Sequence, residues 1–211
     1  MIRMRFRKND QRQERRWAWP AISIVIALLI GVTVVYAPIQ SRWDRYTDFR
    51  TREDIHTVLQ DKKMDRDHMQ EIAEAIVVQS RKTGIPVNLF LGLMQKESNF
   101  TVNAVSSKRA MGILQIHPVT WKEYTKKLNL PDSHEHAFQP AVNIMVSAAI
   151  LRDLCERYAR MGYEEPELWD HVLSAYYAGK KSVRGGLKRH HRHYVNKVRT
   201  YSNEYGQKLK G

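Results

Sequence analysis

One acidic residue, Glu97, stands at the end of a strongly apolar segment and is the best candidate for acid–base chemistry. Residues 89–94 read Leu-Phe-Leu-Gly-Leu-Met, and a polar, glycine-bearing segment follows Glu97. Because a carboxylate is costly to ionise on an apolar wall, burial would raise its pKa toward the range in which it donates a proton near neutral pH. That environment suits the general acid of a glycosidase. The same environment suits an acid that ends a buried helix and points to water. Local chemistry alone favours this structural role, since most acidic residues do not have a strongly shifted pKa.

A series of short motifs accompanies Glu97 along the chain. The series comprises Glu97-Ser98-x-Phe100, Ser106, Gly112-x-x-Gln115 with Pro118, Asn143-Ile144, Ala175-Tyr176-Tyr177-Ala178-Gly179 and Arg192-x-Tyr194-Val195. It resembles the soluble-transglycosylase type of lytic transglycosylase, a goose-lysozyme-like family (glycoside hydrolase family 23) that cuts the glycan strands of peptidoglycan. The likeness covers about Met69 to Tyr205. Because several motifs occur in the family's order, the resemblance favours a catalytic role for Glu97.

The resemblance implies a role for each matched side chain. Glu97 is expected to be the sole general acid/base. The expected substrate-binding residues are Ser106, Gln115, Tyr176 and Tyr194, with the Tyr194 hydroxyl near Glu97 or the sugar. Ser98 and Gly112 are expected to shape the site, Gly112 through its backbone. Without the resemblance, the same residues would be a loop serine, a helix-end glutamine and aromatic residues of a helical core.

The chemistry implied by the resemblance needs only one carboxyl group. Most glycosidases use two carboxylates, but the next acid after Glu97 is Glu123, and the matched segment between them contains none. In the family's reaction the acid protonates the glycosidic oxygen between N-acetylmuramic acid and N-acetylglucosamine, and the C6 hydroxyl of the muramic acid attacks C1. A 1,6-anhydro sugar forms and no water is consumed. Intramolecular attack benefits from an effective concentration on the order of 10⁵ M or more. A distant second carboxylate and lysozyme-type hydrolysis stay open.

Three positions depart from the family pattern. Tyr177 replaces the usual Asn and is expected to alter the groove wall. His190 and His191 replace the usual Glu-Thr before Arg192, which removes an acid from the surroundings of the site. His117 stands where the family often has an apolar residue. None of these changes affects the proton donor, so activity is expected, and the substrate preference is not decided.

The net charge of +13 is concentrated at the two ends of the chain. Residues 1–16 carry seven Lys/Arg against two acids, residues 180–211 carry ten against one, and residues 17–179 carry 18 basic and 19 acidic residues. A balanced middle is not the profile of a basic DNA-binding domain, so no nucleic-acid partner is expected. The basic C-terminal helix predicts a solvated face, attraction to anionic wall polymers, or docking on an acidic cell-envelope protein.

Residues 17–41 contain no charged side chain and are long enough to cross a bilayer as a helix. Aromatic residues lie near both ends of the stretch, and the basic residues 1–16 precede it, which predicts a cytoplasmic tail followed by a signal anchor. The rest of the chain would then lie on the periplasmic side of the bacterial inner membrane, where peptidoglycan is. A cleaved signal peptide is the alternative. Residues 42–64 are interpreted as a charged stalk and residues 65–211 as the catalytic domain.

Apolar periodicity and turn residues predict an all-α, goose-lysozyme-like domain that positions these side chains. The predicted helices cover about 67–81, 88–97, 118–127, 140–161, 166–178 and 190–205, and most of their ends are marked by Pro or Gly. The segment 112–115 is expected to turn back beside the helix that carries Glu97. A small hairpin is the most β structure expected.

Other functions receive less support from the sequence. The clusters His134-Glu135-His136 and 190–193 contain possible metal ligands, but there is no His-Glu-x-x-His and no cysteine cluster, so neither a metal nor a cofactor is expected. The main alternative is a non-catalytic peptidoglycan-binding scaffold of a cell-envelope machine. Glu97 favours the enzyme, because a binding module has no need of a costly acid. Endo or exo action, and a role in wall turnover, secretion or a phage, are not decided.

Overall fold

The computed structural model describes residues 46–62 and 64–209. The predicted cytoplasmic tail (1–16) and membrane anchor (17–41) lie outside these residues, so both stay predictions. No helix in the described part of the chain is long and apolar enough to cross a membrane. The chain divides into two compact units, Met1–Phe49 and Arg50–Gly211. Of the first unit only residues 46–49 are described, and they are helical.

The described chain is all-α, as the sequence predicts. The helices are α1 (46–60), α2 (Arg66–Thr83), α3 (Val87–Glu97), α4 (Pro118–Lys127), a 3₁₀ helix (Glu135–Phe138), α5 (Pro140–Arg160), α6 (Glu167–Ala178) and α7 (Arg189–Lys208). The only β pairing among the described residues is two isolated antiparallel bridges, Val105 with Met111 and Met111 with Ile116. These bridges lie in the segment that follows Glu97, between α3 and α4.

Proline, glycine and a capping acid set the helix ends close to the predicted positions. Pro118 and Pro140 occupy the first turns of α4 and α5, where a missing N–H costs nothing. Gly84 ends α2 in the left-handed region at φ 72°, and its N–H donates to Ser80 O at 2.8 Å. Asp65 begins α2 by accepting a hydrogen bond from the backbone N–H of His68 at 3.0 Å.

The helix that carries Glu97 is buried on nearly every side. Phe90, Leu91, Leu93 and Met94 have no exposed surface, and α3 packs mainly against α7. Gly92 allows this close approach, because a Cβ at that position would lie 2.8 Å from the backbone nitrogen of Ser202 on α7. A helix that is apolar all round belongs in the core, and burial of α3 brings its last residue, Glu97, against α7.

Helix α1 belongs to the fold more closely than the sequence predicts for a stalk. Ile55, Val58 and Leu59 are buried in the same apolar core as α2 and α3. Arg52 also forms an ion pair with Glu74 on α2. The compact unit therefore begins at Arg50, ahead of the predicted boundary at residue 65. Helix α1 packs into the domain because burying its apolar face removes that surface from water, which is favourable.

Candidate active site

Glu97 lines a cavity of about 300 Å³. The cavity is lined by residues from α3, from the segment between α3 and α4, and from α4, α5 and α6; they include Lys96, Glu97, Ser106, Gln115, Tyr176 and Tyr177. The Glu97 side chain is half-buried. Burial raises the pKa of the Glu97 carboxyl, and a hydrogen bond from Tyr194 and the positive charge of Lys96 oppose that rise. The site thus holds an acid that keeps its proton to a higher pH than an exposed glutamate.

Tyr194 on α7 reaches Glu97 across the contact between α7 and α3. Its hydroxyl donates a hydrogen bond to Glu97 Oε1, and its side chain is only 2% exposed. Burial, followed by the nearby charge of Glu97, raises the Tyr194 pKa well above its ordinary value. The hydroxyl therefore stays protonated and remains a donor. Tyr194 is expected from the sequence to contact Glu97 or the sugar, and the structure places it against Glu97, beneath the groove wall.

The segment that follows Glu97 is tied to the end of α3 and closely folded on itself. Ser98 donates a hydrogen bond from its hydroxyl to Ile113 O at 2.8 Å, which holds residues 112–115 beside α3. Gly112 adopts φ 78°, and a Cβ there would lie 2.2 Å from Ala137 O and 2.3 Å from Asn143 Nδ2. Only glycine fits both the backbone conformation and the space. Ser98 and Gly112 thus fix the position of residues 112–115 next to the end of α3.

Asn143 at the start of α5 holds this segment from the other side. Its Oδ1 accepts a hydrogen bond from Leu114 N at 2.9 Å, and its Nδ2 donates to Ala137 O at 2.8 Å and to Met111 O at 3.2 Å. The residue has no exposed surface, and it is a hydrogen-bond partner for Leu114 N and Ala137 O, while Met111 O also accepts from Ile116 N. From the sequence alone, Asn143 is visible only as part of the Asn143-Ile144 motif. An asparagine within the apolar face of a helix is the sequence signal for a buried side chain that binds backbone groups.

Ser106 and Gln115 line the cavity, and both also stabilise the segment they belong to. The Ser106 hydroxyl oxygen accepts a hydrogen bond from Ala110 N at 2.9 Å. The Gln115 amide nitrogen donates to Ala104 O at 3.0 Å and to Gly112 O at 2.8 Å. The Ser106 proton and the Gln115 amide oxygen are left as groups that a ligand could use.

Tyr176 lines the groove with its ring and uses its hydroxyl inside the protein. The hydroxyl donates to Leu114 O at 2.8 Å and lies 3.2 Å from the Ser147 hydroxyl. Burial and the charge of Glu97 raise its pKa, so it stays a neutral donor. Tyr176 therefore lines the groove while its hydroxyl holds the segment 112–115 in place through Leu114.

A second cavity of about 320 Å³ adjoins the first. The two share His117, Thr120, Ile150, Tyr176 and Tyr177, so they form one groove, called here the active-site groove. Among the described residues, Glu97 is the only carboxylate that lines the first cavity, and Glu123 lines the second. A second acid is thus present in the groove, although not in the cavity that contains Glu97.

Comparison with known proteins identifies the fold around this groove. The family model of the transglycosylase SLT domain matches residues 74–197, which contain the groove and most of the core. The chain belongs to the transglycosylase SLT domain family. This agrees with the resemblance carried by the motifs around Glu97.

Relatives of this SLT-domain chain include two proteins named membrane-bound lytic murein transglycosylase C. The protein from Klebsiella pneumoniae strain 342 is 37% identical over 109 residues, which are 49% of this chain and 30% of the relative. The protein from Mannheimia succiniciproducens is 35% identical over 108 residues, again 49% of this chain and 30% of the relative. The match thus covers less than a third of each relative's length.

Two solved structures share the fold of this SLT domain. The X-ray structure of an inactive glutamate-to-glutamine mutant of lytic transglycosylase Slt from Pseudomonas aeruginosa is 27% identical, with a TM-score of 0.57, and covers 65% of this chain and 24% of that one. The 70 kDa soluble lytic transglycosylase of Escherichia coli has a TM-score of 0.55 at 20% identity and covers 77% of this chain and 29% of that one. The second likeness shows the fold alone.

The positions at which this SLT domain departs from the family motifs lie in two places. Tyr177 and His117 line the groove. His191 is fully buried at the start of α7, where its Nδ1 accepts from Lys188 N at 3.1 Å and its Nε2 lies 3.0 Å from the Ser182 hydroxyl. Burial, and then the neighbouring charge of His190, lower the pKa of His191. This histidine therefore caps α7 in its neutral form, a role that no signal in the sequence indicated.

The histidine clusters considered as metal ligands are not assembled into a site. Within the described part of the SLT-domain chain, no group of three or more His, Cys, Asp or Glu side chains is arranged to hold a metal ion. His136 lies in the 3₁₀ helix, and His191 makes the capping contacts described above.

Proposed function

We propose that this protein is a peptidoglycan lytic transglycosylase in which Glu97 is the sole general acid/base. The observation that carries the proposal is the half-buried Glu97 carboxyl in a groove, with its pKa raised by burial and its Oε1 held by Tyr194. An acid with these properties is suited to donate a proton at neutral pH and to take one back. Membership of the SLT family and the names of the relatives support the same reaction.

In the proposed reaction, protonated Glu97 donates its proton to the glycosidic oxygen between N-acetylmuramic acid and N-acetylglucosamine. The bond from C1 to that oxygen breaks, and the N-acetylglucosamine end leaves as a free hydroxyl. The C6 hydroxyl of the same muramic acid attacks C1 and gives its proton to the Glu97 carboxylate. The products are a 1,6-anhydro sugar and a shortened strand, and Glu97 is protonated again for the next cycle.

The hydrogen bond from Tyr194 differs in strength between the two protonation states of Glu97 in this cycle. It stabilises the Glu97 carboxylate that exists after the first proton transfer, because hydrogen bonds to a charged acceptor are stronger than those to a neutral one. It also fixes the orientation of the carboxyl group, so that the Glu97 carboxyl faces the substrate in the same way in both steps. Tyr194 is thus a positioning residue for Glu97.

The distribution of acids favours one carboxylate over two. Paired-carboxylate glycosidases place their acids about 5 to 9.5 Å apart, on either side of the scissile bond. Glu97 is the one carboxylate lining its cavity among the described residues, and Glu123 is exposed on α4 and lines the neighbouring cavity. The proposal gives Glu123 no role in the chemistry.

A matched pair of variants tests this assignment. Glu97→Gln keeps the shape and a hydrogen-bond acceptor for Tyr194 but removes the acid, and Glu123→Gln makes the same change in the second cavity. The purified full-length chain should release soluble fragments from peptidoglycan, Glu123→Gln should retain that activity, and Glu97→Gln should lose it by a factor of a hundred or more, on the order of a lost general acid. Loss of activity in both variants would indicate a paired-carboxylate hydrolase, activity retained in Glu97→Gln would show that Glu97 is not the acid, and inactivity of the parent would indicate the scaffold.

We also propose that residues 17–41 anchor the protein in the inner membrane with the SLT domain on the periplasmic side. The uncharged stretch and the basic residues before it support this topology, as does the name membrane-bound that the relatives carry. Protease added to spheroplasts should degrade the SLT domain and leave a tag on the N-terminus intact. Protection of the domain would contradict the topology. A protein partner for the basic C-terminal helix stays a prediction.

A further inference from the structure

Tyr177 occupies the junction of the active-site groove. It lines both of the cavities that make up the groove, and its side chain is 49% exposed. Its neighbour Tyr176 has its hydroxyl hydrogen-bonded inside the protein, whereas no hydrogen bond within the described structure engages the Tyr177 hydroxyl. A large aromatic side chain is therefore kept half open to solvent in the middle of the groove.

The Tyr177 ring is held in one orientation by stacking. It lies parallel to the Tyr194 ring, with centroids 4.4 Å apart and planes 14° apart. His190 makes an edge contact with it at 6.4 Å. Tyr194 is itself fixed by its hydrogen bond to Glu97. One face of the Tyr177 ring is thus covered by a fixed neighbour, and because about half of the side chain is exposed, the opposite face is the one available to the groove.

An ordered, exposed aromatic face has a definite ligand preference. Such a face binds flat, weakly polar surfaces and leaves the polar edge of the ligand to hydrogen bonds elsewhere. A pyranose ring of an N-acetylhexosamine has this character, since its axial C–H groups form an apolar face and its hydroxyl and acetamido groups project from the edge. Ser106 and Gln115, in the same groove, offer polar groups at such an edge.

We propose that Tyr177 is a specificity-determining residue that binds one pyranose ring of the glycan strand, face to face, at the junction of the two cavities. This inference rests on the proposed function of the groove and adds a sugar contact to it. The stack of sugar, Tyr177 and Tyr194 ends at Glu97, so the bound ring is placed by the same residue that positions the acid.

Substitutions of Tyr177 should affect KM and kcat to different extents. Among the described residues, the Glu97 carboxyl is hydrogen-bonded to Tyr194 and not to Tyr177, so removing the Tyr177 ring should raise KM more than it lowers kcat. Tyr177→Phe keeps the face and should behave like the parent. Tyr177→Leu keeps apolar bulk against Tyr194 but has no flat face, so it distinguishes sugar stacking from simple packing.

A binding measurement tests the inference without depending on turnover. In the full chain carrying Glu97→Gln, binding of the N-acetylglucosamine tetramer would be followed by NMR, together with thermal unfolding of each variant. We expect Tyr177→Asn and Tyr177→Leu to weaken binding about five- to tenfold, and Tyr177→Phe to change it less than twofold. Sugar C–H resonances should shift upfield on binding to the Tyr and Phe forms only, because they lie over an aromatic face.

The outcomes separate this inference from the proposed function. Unchanged binding in Tyr177→Asn, or full binding with Leu at this position, would overturn the stacking role and leave the function of Glu97 untouched. Absence of tetramer binding in every form, those with Tyr177 included, would count against the proposed function of the groove as well as against the stacking role. Tyr201→Asn on α7, outside the groove, is the control for nonspecific loss of binding.

Discussion

The Tyr194 hydroxyl donates a hydrogen bond to Glu97 Oε1, and the two residues are 97 positions apart in the sequence. The contact forms because α3 and α7 pack closely at Gly92. It places a donor that stays protonated on an acid whose pKa is raised by burial. The pKa of Glu97 is therefore set by two opposed effects, burial that raises it and the donor that lowers it, and each can be changed by mutation.

Replacing Tyr194 by Phe should raise the pKa of Glu97 further. The hydroxyl stabilises the carboxylate, and a hydrogen bond to a charged group contributes about 1.5–3 kcal/mol, so the alkaline limb of kcat/KM should move up by about one to two pH units. The maximal rate should fall about tenfold or more, because the carboxyl group loses its fixed direction. A pH profile on soluble glycan fragments measures both effects. A limb that stays in place or moves to lower pH would show that Tyr194 does not stabilise the carboxylate, and Tyr201→Phe on the same helix is the control.

Replacing Glu97 by Gln should stabilise the protein in a pH-dependent way. The Glu97 pKa is raised in the folded state above its ordinary value of 4.5, so the wild-type chain loses stability as pH rises through that raised pKa. Each unit of the rise corresponds to about 1.4 kcal/mol. The unfolding midpoint of Glu97→Gln should thus match that of the parent at acid pH and exceed it at neutral pH. An equal difference at both pH values would contradict burial as the cause, and the exposed Glu123→Gln should change the midpoint little at either pH.

Adding one methyl group at Gly112 should be far more harmful than adding it at Gly84. Both glycines have positive φ, 78° and 72°, but a Cβ at Gly112 would meet Ala137 O at 2.2 Å, and nothing lies within 4 Å of a Cβ at Gly84. Gly84→Ala should cost about 1 kcal/mol from backbone strain alone. Gly112→Ala should cost about 3 kcal/mol or more and also reduce activity, because residues 112–115 must move. Urea unfolding compares the two, and similar costs would mean that the segment is looser than the structure shows.

Truncation of Leu59 tests whether α1 is part of the fold. Leu59 has no exposed surface, so Leu59→Ala should lower the free energy of unfolding by about 2–5 kcal/mol. Gln60, next to it on α1, is exposed, and Gln60→Ala should change stability by less than about 0.5 kcal/mol. If α1 were an independent stalk, the two variants would be equally stable.

The sequence predicts the helices well because their ends carry local signals. Pro118, Pro140 and Gly84 mark helix ends through backbone constraints that do not depend on distant residues. Glu97 and its motif neighbours were also predicted as a group, since their order along the chain is visible without a structure.

The tertiary partners were not predictable in the same way. The apolar side of α1 is readable as a helix face, but nothing local shows that Ile55 and Leu59 pack into the domain core. Asn143 and His191 are buried polar residues whose hydrogen-bond partners are mostly backbone groups. Because every residue has such groups, the sequence does not show which of them will be the partners. Tyr177 could be recognised as a departure from the motif, but its stacking on Tyr194 depends on how α6 meets α7.

The central claim is that a single acid, Glu97, works on a substrate that supplies its own nucleophile. The most direct test is mass spectrometry of the fragments released from purified peptidoglycan in water labelled with heavy oxygen. The proposed reaction releases fragments that end in 1,6-anhydro-N-acetylmuramic acid, lighter by one water than hydrolysis products and free of the label. Fragments with a reducing end that carries the heavy oxygen would show that water is the nucleophile, and would contradict the single-acid mechanism.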